Sequence, residues 1–239
     1  MHVAPWDDTV RHQSPAGIIG LHLNFELHLP ASATRESVIA SLSALRAFAR
    51  TLPFAELSPL RTDHDGQGEG GHAERLAALR WWAELIATPC DTDDVPLVGD
   101  ASSAQGFFVH PGKGCETATF GFLRRATATG TPIDWYWHCS CKTQYASTVS
   151  DAHLITCHTS LIGLLDYAIT LGIDVVVHDE THYWESRDVS RLVSEVRAMN
   201  QLVARIAGKL SDALGDAKDL QASIFEHPRF ERLEMGEDE

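Results

Sequence analysis

Residues Leu21 to Leu29, LHLNFELHL, alternate apolar and polar side chains without a break, and only a β-strand sends successive side chains to opposite faces. One face of that strand carries Leu21, Leu23, Phe25, Leu27 and Leu29; the other carries His22, Asn24, Glu26 and His28. The pattern demands a sheet with one covered apolar face and one polar face. Water-facing strand positions usually hold Thr, Lys or Ser. Imidazoles and carboxylates in their place can bind metal or move protons.

Two later segments repeat the habit. Asp134 to Tyr145, DWYWHCSCKTQY, sorts Trp135, Trp137, Cys139, Cys141 and Thr143 from Tyr136, His138, Ser140, Lys142 and Gln144. Ile173 to His178 is a short apolar strand that leads into VVVHDETHYWE, Val175 to Glu185. If that strand continues, His178, Glu180 and His182 share one face, with about 7 Å between neighbouring side chains. H-x-E-x-H offers the two-imidazole, one-carboxylate donors of catalytic zinc and non-haem iron sites, although the helical H-E-x-x-H is the stronger signal. The competing expectation is a strand end entering a loop, with these side chains solvated.

Between the strands, Ser32 or Thr34 can cap a helix to about Arg50, with Val38, Leu42, Leu45 and Phe48 near helical spacing. Residues 58–72, rich in Gly and Asp, predict a flexible loop. Ala73 to Thr88 has helical periodicity, and Cys90 to Gly106 predicts an irregular connection. Phe107 to His110 and Thr117 to Arg125 predict a hairpin turned by PGKGCE. Ser150 or Asp151 caps a helix to about Leu171, whose apolar stripe of Leu154, Leu161, Leu165 and Ala168 includes His158, expected to be a satisfied core histidine. Gly172 stops it. Strand, helix and strand in that order predict a parallel pair with a right-handed crossover. Ser186 to about Leu214 is a long amphipathic helix with Asp188 in its first turn. Ile224 and Phe225 form a last apolar cluster, and 228–239 is an acidic tail expected to be poorly ordered. The order predicts a single α+β domain over 1–239. Its mainly antiparallel mixed sheet carries helices on one face, a ferredoxin-like variant with a long C-terminal helix.

Composition narrows the function classes. At 239 residues and 44% hydrophobic, the chain can bury a sizeable core. A formal net charge of -14 with scattered basic residues excludes a protein devoted to holding nucleic acid or anionic membrane. The first fifteen residues lack the basic region and apolar run of a secretory signal, and no stretch approaches the roughly 18 apolar residues of a membrane span. A cytoplasmic location is the expectation. Five cysteines fit reduced thiols better than a disulfide framework. Cys139 and Cys141, a C-x-C without a second pair, are expected in the core. Cys157 and His158 diverge by about 100° on a helix and cannot pair with each other. Cys115 beside Glu116 is a weak nucleophile candidate. The phosphate-loop and nucleophile-elbow motifs are missing.

The candidate catalytic residues are therefore Glu26, His138, Lys142 and Glu180, with Glu26 or Glu180 as base. Lys142 would hold a carboxylate or act as a desolvated amine. The candidate metal ligands are His22, His28, His178, Glu180 and His182, for a divalent zinc, iron or manganese ion. These residues imply an enzyme acting on a small polar molecule by acid-base chemistry. The alternatives are a non-catalytic acidic binding protein of the inhibitor or immunity type, and a homodimer whose second subunit covers the polar face. Aromatic pairs such as Trp81-Trp82 and Trp135-Trp137 are expected in the core, whereas Tyr136, Tyr183 or Trp184 could wall a pocket.

Overall fold

The computed structural model describes residues 20–62, 97–127 and 129–214. The helix expected at 73–88, the loop tip at 63–72, the apolar pair at 224–225 and the tail at 228–239 lie outside the described residues. Strand β1 (Leu23–Pro30) buries Leu23, Phe25 and Leu27, as its alternation requires. The chain turns, and Thr34 caps α1 (Arg35–Ala49), its hydroxyl accepting from the Ser37 N–H at 3.2 Å. Such a cap satisfies an otherwise orphaned donor and contributes about 1 kcal/mol. Val38, Leu42, Leu45 and Ala49 face inward at helical spacing.

Strands β2 (Glu56–Leu57), β3 (Leu97–His110), β4 (Ala118–Thr127) and β5 (Pro132–Cys141) follow, and then a 3-10 turn, Gln144–Thr148. Next come α2 (Asp151–Thr170), β6 (Asp174–Asp179), the single turn α3 (Tyr183–Ser186) and α4 (Val189–Leu214). The six strands form one open sheet in the order β2-β3-β4-β5-β1-β6, every neighbouring pair antiparallel. The α+β class with a largely antiparallel sheet is as expected, without the mixed pairing. Strands β5 and β6 do run parallel, but β1 lies between them, so the crossover through α2 spans a strand instead of joining neighbours.

Other elements depart from the sequence expectation. The connection expected to end at Gly106 is strand from Leu97 onward, interrupted by a register shift between Asp100 and Gln105. Ser58, at the start of the predicted flexible loop, is buried; its backbone oxygen accepts from Arg46 Nε at 2.6 Å and its hydroxyl from the Phe108 N–H at 2.9 Å. Strand β5 ends at Cys141, four residues short of Tyr145, because Gln144 turns inward. Asp188 precedes α4 and accepts from the Ser190 and Arg191 N–H groups, a cap, while Tyr183–Ser186 forms its own turn.

One apolar face of the sheet packs against α1 and α2. Phe25 stacks on Phe120 (4.9 Å between centroids) and Phe107 on Phe120 (5.6 Å), and Trp135, Trp137, Leu161 and Leu165 complete the layer. Each fully buried Phe or Leu stabilises the fold by about 2 kcal/mol. Trp137 leaves no unsatisfied donor, since its Nε1–H reaches the Thr119 oxygens at 3.2 Å. A second cluster of Leu21, Leu154, Cys157, Leu192 and Val196 joins α2 to α4 beside the start of β1. No helix among the described residues is long and apolar enough to cross a membrane.

Candidate functional site

The register sets Glu26 opposite His138 and Val176, Asn24 opposite Ser140 and His178, and His28 opposite Tyr136 and Asp174. Cross-strand partners share a face, so β5, β1 and β6 present one common polar surface, as the three alternating segments imply. Its ionised groups are bonded in series. Arg125, from β4, donates to both oxygens of Asp134 at 2.7 and 2.5 Å and lies 3.8 Å over the Tyr136 ring. Asp134 faces His28 Nδ1 at 3.5 Å, and His28 Nε2 meets Glu26 at 3.1 Å.

That wiring decides what the face can do. Hydrogen bonds to Asp134 and Glu26 raise the His28 pKa to about 9 against the cost of burial. The His28 bond, working against burial, holds Glu26 below the usual carboxylate range, and burial of Asp134 is outweighed by Arg125 and His28, which bring it to about 2. A general acid or base works best with a pKa near the operating pH, and these groups sit on either side of it. Glu26 and His28 are thus locked as an ion pair, poorly suited to proton transfer.

The rim at the end of the sheet is different. There the start of β1 meets the ends of β5 and β6, Leu23 pairing with both Cys141 and Asp179. Strand β6 stops at Asp179, and His182 adopts φ 57°, so the strand does not continue and His178, Glu180 and His182 do not share a strand face. Glu180 turns instead to His22: its Oε2 accepts from the His22 backbone N–H at 2.7 Å and lies 3.3 Å from Nδ1. The carboxylate can only accept, so the proton sits on Nδ1 and Nε2 is left as the basic nitrogen. The His22 side chain is 18% exposed and that of Glu180 36%.

Lys142 follows the end of β5 and is buried, 3% exposed, where the alternation expected a side chain on the polar face. Its backbone N–H donates to Glu116 Oε2 at 3.0 Å. Burial lowers the ammonium pKa, with the charges of Glu116 and Glu180 opposing. Among the described residues no carboxylate stands within 4 Å of its nitrogen.

Buried hydrogen bonds fix all three rim groups through their chain neighbours. Thr143, next to Lys142, donates to His158 Nδ1 at 2.9 Å, and His158 Nε2 donates to Asp179, next to Glu180, at 3.2 Å. Asp179 also accepts from Thr181 and from the Trp184 N–H, and its pKa falls to about 2 because these bonds outweigh burial. Gln144 accepts from the N–H of Leu21, next to His22, at 2.8 Å and donates to Asn200 of α4 at 2.8 Å. Hydroxyl, imidazole and carboxylate in series look like a nucleophile relay, but Thr143 is 3% exposed and its hydroxyl is enclosed. The relay acts as a brace.

The structure thus separates the predicted residues. His22, Lys142 and Glu180 meet at the rim; Glu26, His28 and His138 lie on the sheet face; His178 is exposed on β6 and His182 stands apart in the turn. Among the described residues no group of three or more His, Cys, Asp or Glu is placed to hold a metal ion. Cys139 and Cys141 are buried in the core, His158 is the satisfied core histidine expected, and Tyr183 packs edge-on against it at 5.6 Å. Sequence reasoning missed Arg125, Asp134, Thr143, Gln144 and Asp179 as organisers, because their partners lie on other elements. Comparison with known protein families, curated proteins and solved structures finds no match.

Proposed function

We propose that the chain is an enzyme acting on a small, anionic polar molecule by acid-base chemistry at the sheet rim. His22 Nε2 serves as general base, Glu180 orients its imidazole, and the Lys142 ammonium receives the substrate's negative charge or the charge that develops during reaction. The carrying observation is Lys142, a side chain only 3% exposed with no ion-pair partner among the described carboxylates, beside a carboxylate-oriented imidazole. A buried cation is costly unless something compensates it, and an anionic ligand would. The strand order β4-β5-β1-β6, with α1 and α2 as crossovers, supports a ferredoxin-like variant extended by β2 and β3.

The test is thermal unfolding of the full chain with inorganic phosphate and a series of mono- and dicarboxylates. At least one of these should stabilise the wild type, by ~2.7 kcal/mol at a hundredfold excess over Kd. K142M should lose the effect, and His22 resonances should move on addition. If no anion shifts the wild type and K142M is as stable or more so, Lys142 is a structural residue and the proposal fails.

A second function, non-catalytic binding, is favoured by one observation. The sheet face is internally charge-paired, and Val176, 53% exposed, lies on β6, an edge strand among the described residues. An unpaired strand edge can accept a partner's strand.

A further inference from the structure

A second cluster of reactive groups lies outside the rim, where the β3–β4 turn meets α2. Cys115 hydrogen-bonds back within that turn, its N–H donating to the Gly112 oxygen at 3.0 Å. The turn packs directly on Cys157 of α2: a Cβ placed on Gly112 would come 2.9 Å from Cys157 Sγ. The Cys115 side chain packs against the same cluster, to which Cys157 belongs. On the other side stands His153, one helical turn before Cys157, with Nε2 3.6 Å from the sulfur. That nitrogen also bonds the Lys113 carbonyl at 3.0 Å. A carbonyl only accepts, so Nε2 carries a proton and offers it to Cys157 as well. Cys157 therefore has this donor beside it, which favours a thiolate.

We propose that Cys115 and Cys157 are a reactive dithiol that a small-molecule disulfide oxidises to an intramolecular disulfide between the β3–β4 turn and α2. Cys115 is the more exposed of the two and makes the first attack. As its sulfur bonds to one sulfur of the small disulfide, its proton passes to the Cys157 thiolate and the other half leaves as a thiolate. Cys157 gives that proton to the departing thiolate and then attacks Cys115 in the mixed disulfide, expelling the second half as a thiolate. Two protein thiols are oxidised and one small disulfide is reduced to two thiols. The neighbouring Cys115 thiol brings the Cys157 pKa down to about 7 against burial, and Cys115 is itself raised, so Cys157 is the thiolate that takes up the proton as the more exposed Cys115 attacks. The dithiol is independent of the catalytic proposal.

The test is incubation of the full chain with glutathione disulfide at neutral pH, followed by thiol counting and mass mapping under non-reducing conditions. Two thiols should disappear together, with the Cys115 peptide linked to the Cys157 peptide. C157A should instead hold a stable glutathione adduct on Cys115, and C115S should react at least ~10-fold more slowly. Three results would each overturn the proposal: a lasting adduct on Cys115 in the wild type, a link between other cysteines, or an undiminished rate in C115S. The linkage is read on the wild type, so it stands whether or not a variant folds.

Discussion

His28→Gln removes the imidazolium from between Glu26 and Asp134 and tests the charge series on the sheet face. Raising an imidazole from its usual 6.5 to about 9 corresponds to ~3 kcal/mol, at about 1.4 kcal/mol per tenfold. The ring is 24% exposed, and screening reduces that to about 1–2 kcal/mol. A pKa higher in the folded state means the contribution is complete below pH 6.5 and is lost as pH rises through 9. The variant should therefore be less stable than wild type by about 1–2 kcal/mol at pH 6, and the gap should close by about pH 10. Urea unfolding of both proteins at fixed ionic strength gives the gap directly, provided the denaturant slope is unchanged. Cys157 titrates in the same interval with the opposite sign, because a thiol with a lowered pKa adds stability as pH climbs from about 7. Both proteins carry Cys157, so the difference between them isolates His28. A gap that stays constant from pH 6 to 10, or a His28 proton resonance with its midpoint near 6.5, would refute the charge series.

Other expectations follow from the same geometry. Asp179→Asn, which leaves His158 without its carboxylate, should cost about 2–4 kcal/mol by urea unfolding. The wild-type advantage should hold above pH 4 and fade as pH drops toward about 2, the window set by the lowered Asp179 pKa. Gly121→Ala places a Cβ 2.6 Å from the Gln105 backbone oxygen and should cost more than about 2 kcal/mol. Gly172→Ala, in open space at φ +78°, should cost only about 1 kcal/mol for its backbone strain. Equal losses at the two glycines would contradict the close approach of β3 and β4.

The sequence displayed those parts of the fold that depend on local period. LHLNFELHL named the buried and polar faces of β1 residue by residue, and Ser150 and Gly172 marked the ends of α2 to within a residue. What it could not display depends on partners far along the chain. Lys142 continues the alternation of β5 on paper, but its neighbour Thr143 is drawn inward by His158 and Gln144 by Leu21 and Asn200, and the strand ends there. Glu180 and His182 looked like continued strand because His and Glu permit it. Asp179 stops the run by capping the turn at Thr181 and Trp184. His153 and Cys157 stood at i, i+4, a helical pairing that was legible in the sequence and was overlooked in favour of the adjacent His158.

Strand β1 sits between β5 and β6, and both partners come more than a hundred residues later in the chain. The first strand of the sheet to leave the ribosome is therefore the last to find its neighbours. Until Asp174–Asp179 has been synthesised, Leu23, Phe25 and Leu27 have only one side of their ladder available, and that side only once Pro132–Cys141 has emerged. Contacts this distant in sequence pay their loop-closure entropy early and gain their packing late, which slows folding and prolongs the exposure of apolar strands. A chain truncated before β6 would carry the complete apolar stripe of β1 on an open edge, and self-association, not a smaller folded domain, is the consequence built into this strand order.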